Sequence, residues 1–241
     1  MKEPTVDIYD PQYVKNMFDR MSKTYGTANY LSSFGFTERW RRQCINDLPP
    51  IAPNAKGYDL MSGMGEAWGL IQRKVGSEGQ IVGVDISDEM NRKAGDRVQQ
   101  LKVKNIKLQP LDVLKGELEP NSADFVVSTF GIKTFNPTQQ KQLAQQIAKV
   151  LVSGGAFALI EISKPKAWWL KPFYMFYLKA MIPLIGKVFL GNSHDYRMLG
   201  KYCSDFDNAH QFYTYLTEAG LNAQFKQYFF GCATGVFGVK P

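Results

Sequence analysis

The residues best placed to do chemistry are Asp59, Gly63, Gly65, Asp85 and Asp112, which fall at or just after the ends of successive apolar runs. In Gly57-Tyr-Asp-Leu-Met-Ser-Gly-Met-Gly-Glu66 an apolar run enters a glycine turn, and Ile81-Val-Gly-Val-Asp-Ile86 then closes a second run on a carboxylate. Glycine at such a turn lets the backbone approach a ligand and lets the next helix pack close. The free N–H groups opening that helix favour an anionic group. Asp85 offers two acceptor oxygens to two ribose hydroxyls, and Asp112 is placed for a contact with a base edge. A lone Gly-x-Gly is weak, but these five residues at successive strand ends describe a nucleoside-cofactor site.

Dinucleotide sites use three glycines and open space for a pyrophosphate. Here an acid, Asp59, stands two residues ahead of the turn Met61-Ser-Gly-Met-Gly65, the arrangement of S-adenosylmethionine (SAM) sites. The candidate cofactor-binding residues are Asp59, Met61, Ser62, Gly63, Gly65, Asp85, Ile86, Met90, Asp112, Val113 and Ser128. No Cys/His cluster has metal-ligand spacing, so no metal is expected.

The elements that must hold these residues follow from periodicity. Val14, Phe18, Met21 and Tyr25 recur at helical spacing, so residues 11–48 read as helices that end at Pro49, Pro50 and Pro53. Strands are expected at 57–61, 80–85, 106–110, 123–128 and 157–162, with helices at 67–75, 89–101 and 139–151 between them. Ser153-Gly-Gly-Ala156 reads as a turn, 205–220 as one helix, and 225–239 as two terminal strands. Strands alternating with helices define an α/β fold, a doubly wound, mostly parallel sheet with helices on both faces. One domain is expected over 1–241, with an N-terminal helical cap at 1–50 and a substrate-side helical insertion at 164–204.

The net charge of +7 suits anionic partners, but the tightest basic group, Arg39, Arg41 and Arg42, is interrupted by Trp40, which argues against nucleic acid. Three scattered cysteines, no apolar leader core and no uncharged run long enough to span a bilayer point to a cytoplasmic protein, soluble or peripheral to a membrane. Residues 168–190 are rich in Trp, Phe, Tyr and Leu, with Lys171, Lys179, Lys187, Pro172 and Pro183 among them. That composition fits a long apolar ligand, a bilayer interface, core packing or a homodimer contact.

Phe18-Asp-Arg-Met-Ser-Lys-Thr-Tyr25, Leu31-Ser-Ser-Phe-Gly-Phe36, Trp40-Arg-Arg42, Phe130-Gly-Ile-Lys133, Ile160-Glu-Ile-Ser-Lys-Pro-Lys166, Ile182-Pro-Leu-Ile-Gly-Lys187 and Tyr196-Arg-Met-Leu199 together resemble the ubiquinone/menaquinone biosynthesis C-methyltransferase family (the UbiE/MenG type) over nearly the whole chain. The resemblance implies a class I SAM-dependent fold with seven strands, the last antiparallel. It also implies SAM as cofactor, S-adenosylhomocysteine (SAH) as product, and methylation of a ring carbon on a lipophilic quinol. Tyr25, Asn29, Phe130 and Arg197 become candidate substrate contacts, and Lys133, Tyr196 and His194 candidate catalytic groups.

The departures from the family pattern fall where chemistry would occur. Met61 replaces the first glycine of the SAM turn, with Ser62 and Met64 for its usual neighbours; Gly26 replaces an aspartate; and Lys133 and Thr134 replace an arginine and an asparagine. Met61 must point away from the cofactor or reshape its pocket. Lys133, desolvated, can lose a proton or stay charged and stabilise a phenolate; a lysine with no proton role is the alternative. His194 is equally readable as a loop histidine, and Tyr196 and Arg197 as packing residues. Besides quinol methylation, the departures admit a SAM-using enzyme with a different acceptor or non-methyl chemistry, or a non-catalytic binding protein.

Overall fold

A computed structural model of the protein describes residues 7–22, 33–101, 105–116, 118–181, 184 and 193–241. Tyr25, Gly26, Asn29, Pro183 and Lys187, all singled out above, lie outside the described residues. Seven strands form one sheet: β1 (Lys56–Leu60), β2 (Gln80–Asp85), β3 (Ile106–Pro110), β4 (Ala123–Thr129), β5 (Leu151–Ile162), β6 (Asn222–Tyr228) and β7 (Ala233–Val239), in the order β3-β2-β1-β4-β5-β7-β6. The first five pair in parallel, and β7 runs antiparallel to both β5 and β6. The described helices are α1 (Pro11–Met21), α2 (Phe36–Asp47), α3 (Trp68–Val75), α4 (Asp88–Leu101), α5 (Pro137–Val150), α6 (Leu170–Phe176), α7 (Ser193–Phe206) and α8 (His210–Glu218). None is long and apolar enough to cross a membrane.

The central strands read as unbroken apolar runs because both faces are buried. On β4, Phe125 and Val127 pack with Trp68, Ile71 and Ile81 on one face, while Val126 packs with Leu60, Leu143 and Phe212 on the other. Local signals set the helix starts. Asp10 accepts from the Gln12 and Tyr13 N–H groups just ahead of Pro11, and Asn136 and Gln139 form a capping box around Pro137.

Two expectations are corrected. The stretch Ser153–Gly155 does not separate β5 from what precedes it. Leu151 already pairs with Ala123, and the ladder resumes at Ala156 opposite Phe125, so the segment is an irregularity inside the strand, with Gly154 at φ 79. The helix expected at 205–220 is two elements. Asp207 adopts φ 59 and breaks the path after α7, and Thr234 Oγ1 accepts from the Ala209 N–H at 2.8 Å where α8 begins.

Helix α1 lies along the sheet's carboxyl edge. Asp19 Oδ1 accepts from Ser87 Oγ (2.6 Å) and from the Glu89 N–H (3.1 Å) at the start of α4. Arg20 donates to both oxygens of buried Asp195 on α7 (3.0 and 2.8 Å). One short helix is thereby tied to the elements on both sides of the site.

Candidate active site

A cleft opens beyond the carboxyl ends of β1, β2 and β4, where the strand order reverses between β1 and β4, the position at which open α/β sheets bind ligands. Among its lining residues are Met61, Ser62, Gly63, Asp85, Ile86, Met90, Asp112 and Val113, eight of the residues expected to contact the cofactor. The backbone of the turn is wound tightly: Met61, Gly63 and Gly65 have φ of 52, 56 and 76. Asp85 organises the turn from the neighbouring strand, its Oδ2 accepting from the Gly63 N–H (2.8 Å) and its Oδ1 from the Ser87 N–H (2.9 Å). Burial raises the Asp85 carboxyl to about 6, against the two N–H groups that favour its charged form.

The other expected cofactor residues stand behind the cleft. Gly65 is pressed against the Trp68 ring, where a Cβ would meet a ring carbon at 2.2 Å, so this glycine serves close packing of α3. Ser128 is fully buried in β4, and its neighbour Thr129 faces the cleft instead. Asp59 is buried beneath the turn, and neither of its oxygens has a hydrogen-bond partner among the described residues; the Trp68 indole lies beside it but outside hydrogen-bonding geometry. Burial, and then the charge of Glu66, push Asp59 up to about 8, with Arg41 opposing them.

Asp59 therefore keeps a proton in the fold that it loses near 3.8 when unfolded. Its contribution to stability is complete below the unfolded value and is lost as pH rises through about 8. Asp59→Asn is expected to flatten the fall of melting temperature across that window. Calorimetric melts in a buffer series check this, and equal slopes in the two proteins would refute it.

Met61 lies at the cleft itself. Its side chain forms part of the cleft wall and occupies the space over Gly131, where a Cβ would stand 2.5 Å from Met61 Cβ. Residues that the sequence did not assign to the cofactor complete the cleft: Tyr9 just ahead of α1, Val14 and Phe18 on α1, buried Arg41 of α2, and Thr134 and Gln139. Only the Val14–Phe18 spacing marked an apolar helix face, and it did not say what that face covers.

A second cavity adjoins the first and shares Phe130 with it. Phe36, Trp40, Tyr174, Tyr177 and Phe229 make its wall largely aromatic, and Lys133, Tyr196 and Cys203 add the polar atoms. Phe130, at φ 70, stands between the two spaces with the Arg41 guanidinium 5.5 Å from its ring centroid. In the turn Ile132–Thr134, Lys133 faces the aromatic cavity and Thr134 the cofactor cleft.

Lys133 is held firmly. Its Nζ donates to Glu161 Oε1 (2.9 Å) and to the Phe130 carbonyl (2.6 Å), and its N–H donates to Glu161 Oε2 (3.1 Å). The Nζ is thereby paired with a carboxylate that is itself fully buried. The structure thus brings Lys133, Tyr196 and Phe130 together and leaves two candidates outside. His194 is exposed, 3.4 Å from Asp195, and Arg197 is exposed on α7; neither lines either space.

The cofactor cleft suits a donor-rich nucleoside. Ser62 and Asp112 both line it, and Ser62 Oγ and Asp112 Oδ2 are buried with no hydrogen-bond partner among the described residues. With the strand order and the Asp85-organised turn, they define a class I SAM-dependent methyltransferase, with SAM as the cofactor. The chain belongs to the ubiE/COQ5 methyltransferase family, whose model matches residues 7–240.

It is 28% identical over 229 residues to a demethylmenaquinone methyltransferase of Bacillus mycoides (strain KBAB4), covering 95% of each chain. It is 27% identical over the same length and coverage to one of Bacillus cereus (strain ATCC 10987 / NRS 248). Among solved structures, its fold resembles a SAM-dependent methyltransferase from Aquifex aeolicus (TM-score 0.59, 15% identity, 98% of this chain and 100% of that one). It also resembles phosphoethanolamine N-methyltransferase 2 of Haemonchus contortus in complex with SAM (TM-score 0.64, 15% identity, 99% of this chain and 61% of that one).

Proposed function

We propose that this methyltransferase modifies a ring carbon of a quinol or another lipophilic phenol. The observation that carries the reading is the aromatic cavity abutting the cofactor cleft at Phe130. A flat, apolar ring with one or two oxygens matches a wall that is largely aromatic and carries the Lys133 and Tyr196 polar atoms. The names of the Bacillus relatives point the same way.

When bound, SAM supplies an electrophilic methyl whose C–S bond breaks, its electron pair staying on sulfur, as a ring-carbon pair forms the new C–C bond. The chain's own residues position and polarise the acceptor. Lys133, charged and anchored by Glu161, stabilises negative charge on a ring oxygen and so raises the nucleophilicity of the ring carbon. Tyr196, buried at the same wall, orients that oxygen. The hydroxyl proton and, after methylation, the displaced ring proton pass to water at the cavity mouth. Phe130, with the Arg41 guanidinium beside its ring, lines both spaces and would border the point where donor and acceptor meet.

Methyl-labelled SAM incubated with a short-prenyl quinol is expected to yield a product carrying the label on a ring carbon, read by mass and NMR. SAH binding with no transfer to any quinol or phenol would overturn the reading and leave a binding role.

A further inference from the structure

Beyond the reaction, and resting on the reading of the aromatic cavity as the acceptor site, we propose that α6 and the Phe229–Phe230 turn dock on the anionic surface of a lipid bilayer and open that cavity toward it. Leu170, Tyr174 and Leu178 form the inward stripe of this segment, the first two packed on the core and Leu178 buried. The outward face carries Trp168 (85% exposed), Phe173 (74%) and Phe176 (64%) where a helix bathed only by water carries polar groups.

The same surface continues across the chain. Trp169 meets Phe230, Phe230 meets Phe229, and Phe229 meets Phe36, with ring centroids 5.7, 5.5 and 4.6 Å apart; Phe34 meets Tyr177 at 5.9 Å. Phe34, Phe36, Tyr177 and Phe229 also line the acceptor cavity, so exposed Phe34 and Phe229 join its wall to this surface.

Backbone geometry marks this surface independently. Phe34, Phe229 and Phe230 hold φ of 50, 42 and 56, a left-handed conformation that disfavours bulky side chains. Glycine or asparagine would relieve it, yet three large rings are kept there and presented outward. Charge selects the partner. Residues 163–194 contain five lysines and no Asp or Glu. Of these, Lys166, Lys171 and Lys179 are exposed and form no ion pair among the described residues. Aromatic rings seated at headgroup depth with lysines around them fit an anionic bilayer. A prenylated acceptor could then enter from lipid without crossing water.

The protein carries its own reporter. Trp40 and Trp68 are buried, at 4% and 0%, so a fluorescence change on lipid contact arises from Trp168 and Trp169. The full chain, without acceptor or SAM, is mixed with phosphatidylcholine vesicles and with vesicles in which a quarter of the lipid is phosphatidylglycerol. Expected are a blue-shifted emission and co-sedimentation with the anionic vesicles, weakened at high salt. Partitioning should fall at least tenfold in Trp168→Ser/Phe173→Ser and several-fold in Lys166→Glu/Lys171→Glu, with SAH affinity retained in both as the check on folding.

Equal partitioning of wild type and the aromatic double variant would overturn the proposal. So would equal binding to neutral and anionic vesicles, or a dimer that those substitutions dissolve in a chain that ignores vesicles. Methyl transfer to a detergent-dispersed quinol without vesicle binding would refute the docking alone. Vesicle binding without transfer to any quinol or phenol would refute the acceptor reading alone.

Discussion

Lys133→Met is expected to destabilise the protein by about 3–5 kcal/mol, the cost of stranding one partner of a buried ion pair. Glu161 is fully buried and the Lys133 side chain is 4% exposed, so neither end of the 2.9 Å contact is screened by solvent. Without the ammonium, the carboxylate keeps only its backbone donors, the N–H groups of Lys133 (3.1 Å) and Ile162 (2.7 Å). The double variant Lys133→Met/Glu161→Gln removes both charges and should recover most of the loss. Lys133→Arg keeps the charge and should stay within about 1.5 kcal/mol of wild type. Urea denaturation of the four proteins checks the series. A Lys133→Met single variant as stable as wild type would show that the pair contributes nothing, and would remove the reason to treat Lys133 as a fixed charge in the acceptor cavity. Methyl transfer measured on the stable Lys133→Met/Glu161→Gln protein then separates its part in catalysis from its part in folding.

Asp85→Ala is expected to weaken SAH binding about 100-fold, which corresponds to about 2.7 kcal/mol. The net loss of one hydroxyl hydrogen bond to a carboxylate, at about 1.5–3 kcal/mol, accounts for that size. The turn loses its organiser at the same time, since Gly63 and Ser87 both donate to this carboxylate. The sign of the pH effect separates the roles. Burial raises Asp85 to about 6, so folding by itself favours the protonated acid; that contribution is complete below the ordinary value of 3.8 and is lost as pH rises through about 6. Ribose binding favours the ionised form, so wild-type affinity for SAH should fall as pH drops through about 6, and Asp85→Ala should lack that dependence. Calorimetric titration across pH decides it. Affinity unchanged in Asp85→Ala would place the ribose elsewhere.

Much of the scaffold was legible in one dimension. β2 and β3 begin and end at the residues expected of them, 80–85 and 106–110, and β1 and β4 lie within one residue of expectation. Strands buried on both faces leave a signal that does not depend on their partners, and glycines and carboxylates punctuate it. The cofactor turn was readable for the same reason: Met61 to Gly65 and Asp85 are held by a local strand–turn geometry and one neighbouring strand.

What tertiary structure alone decided are the contacts between distant segments. Lys133 is paired because Glu161, on the adjacent strand β5, meets it. Val14 and Phe18 become cleft wall because Asp19 and Arg20 dock α1 at α4 and α7. His194 and Arg197 fall outside both spaces because the turn of α7 that carries them buries Asp195 and Tyr196 instead. Periodicity says that a helix has an apolar face, but packing sets what that face meets. The sequence by itself therefore determined a SAM-type site on an α/β sheet, because that site is built from local geometry repeated at successive strand ends. The aromatic cavity is assembled from α2, the turn after β4, the end of β5, α6 and the residues after it, α7 and the β6–β7 turn, and only the folded chain brings those segments together.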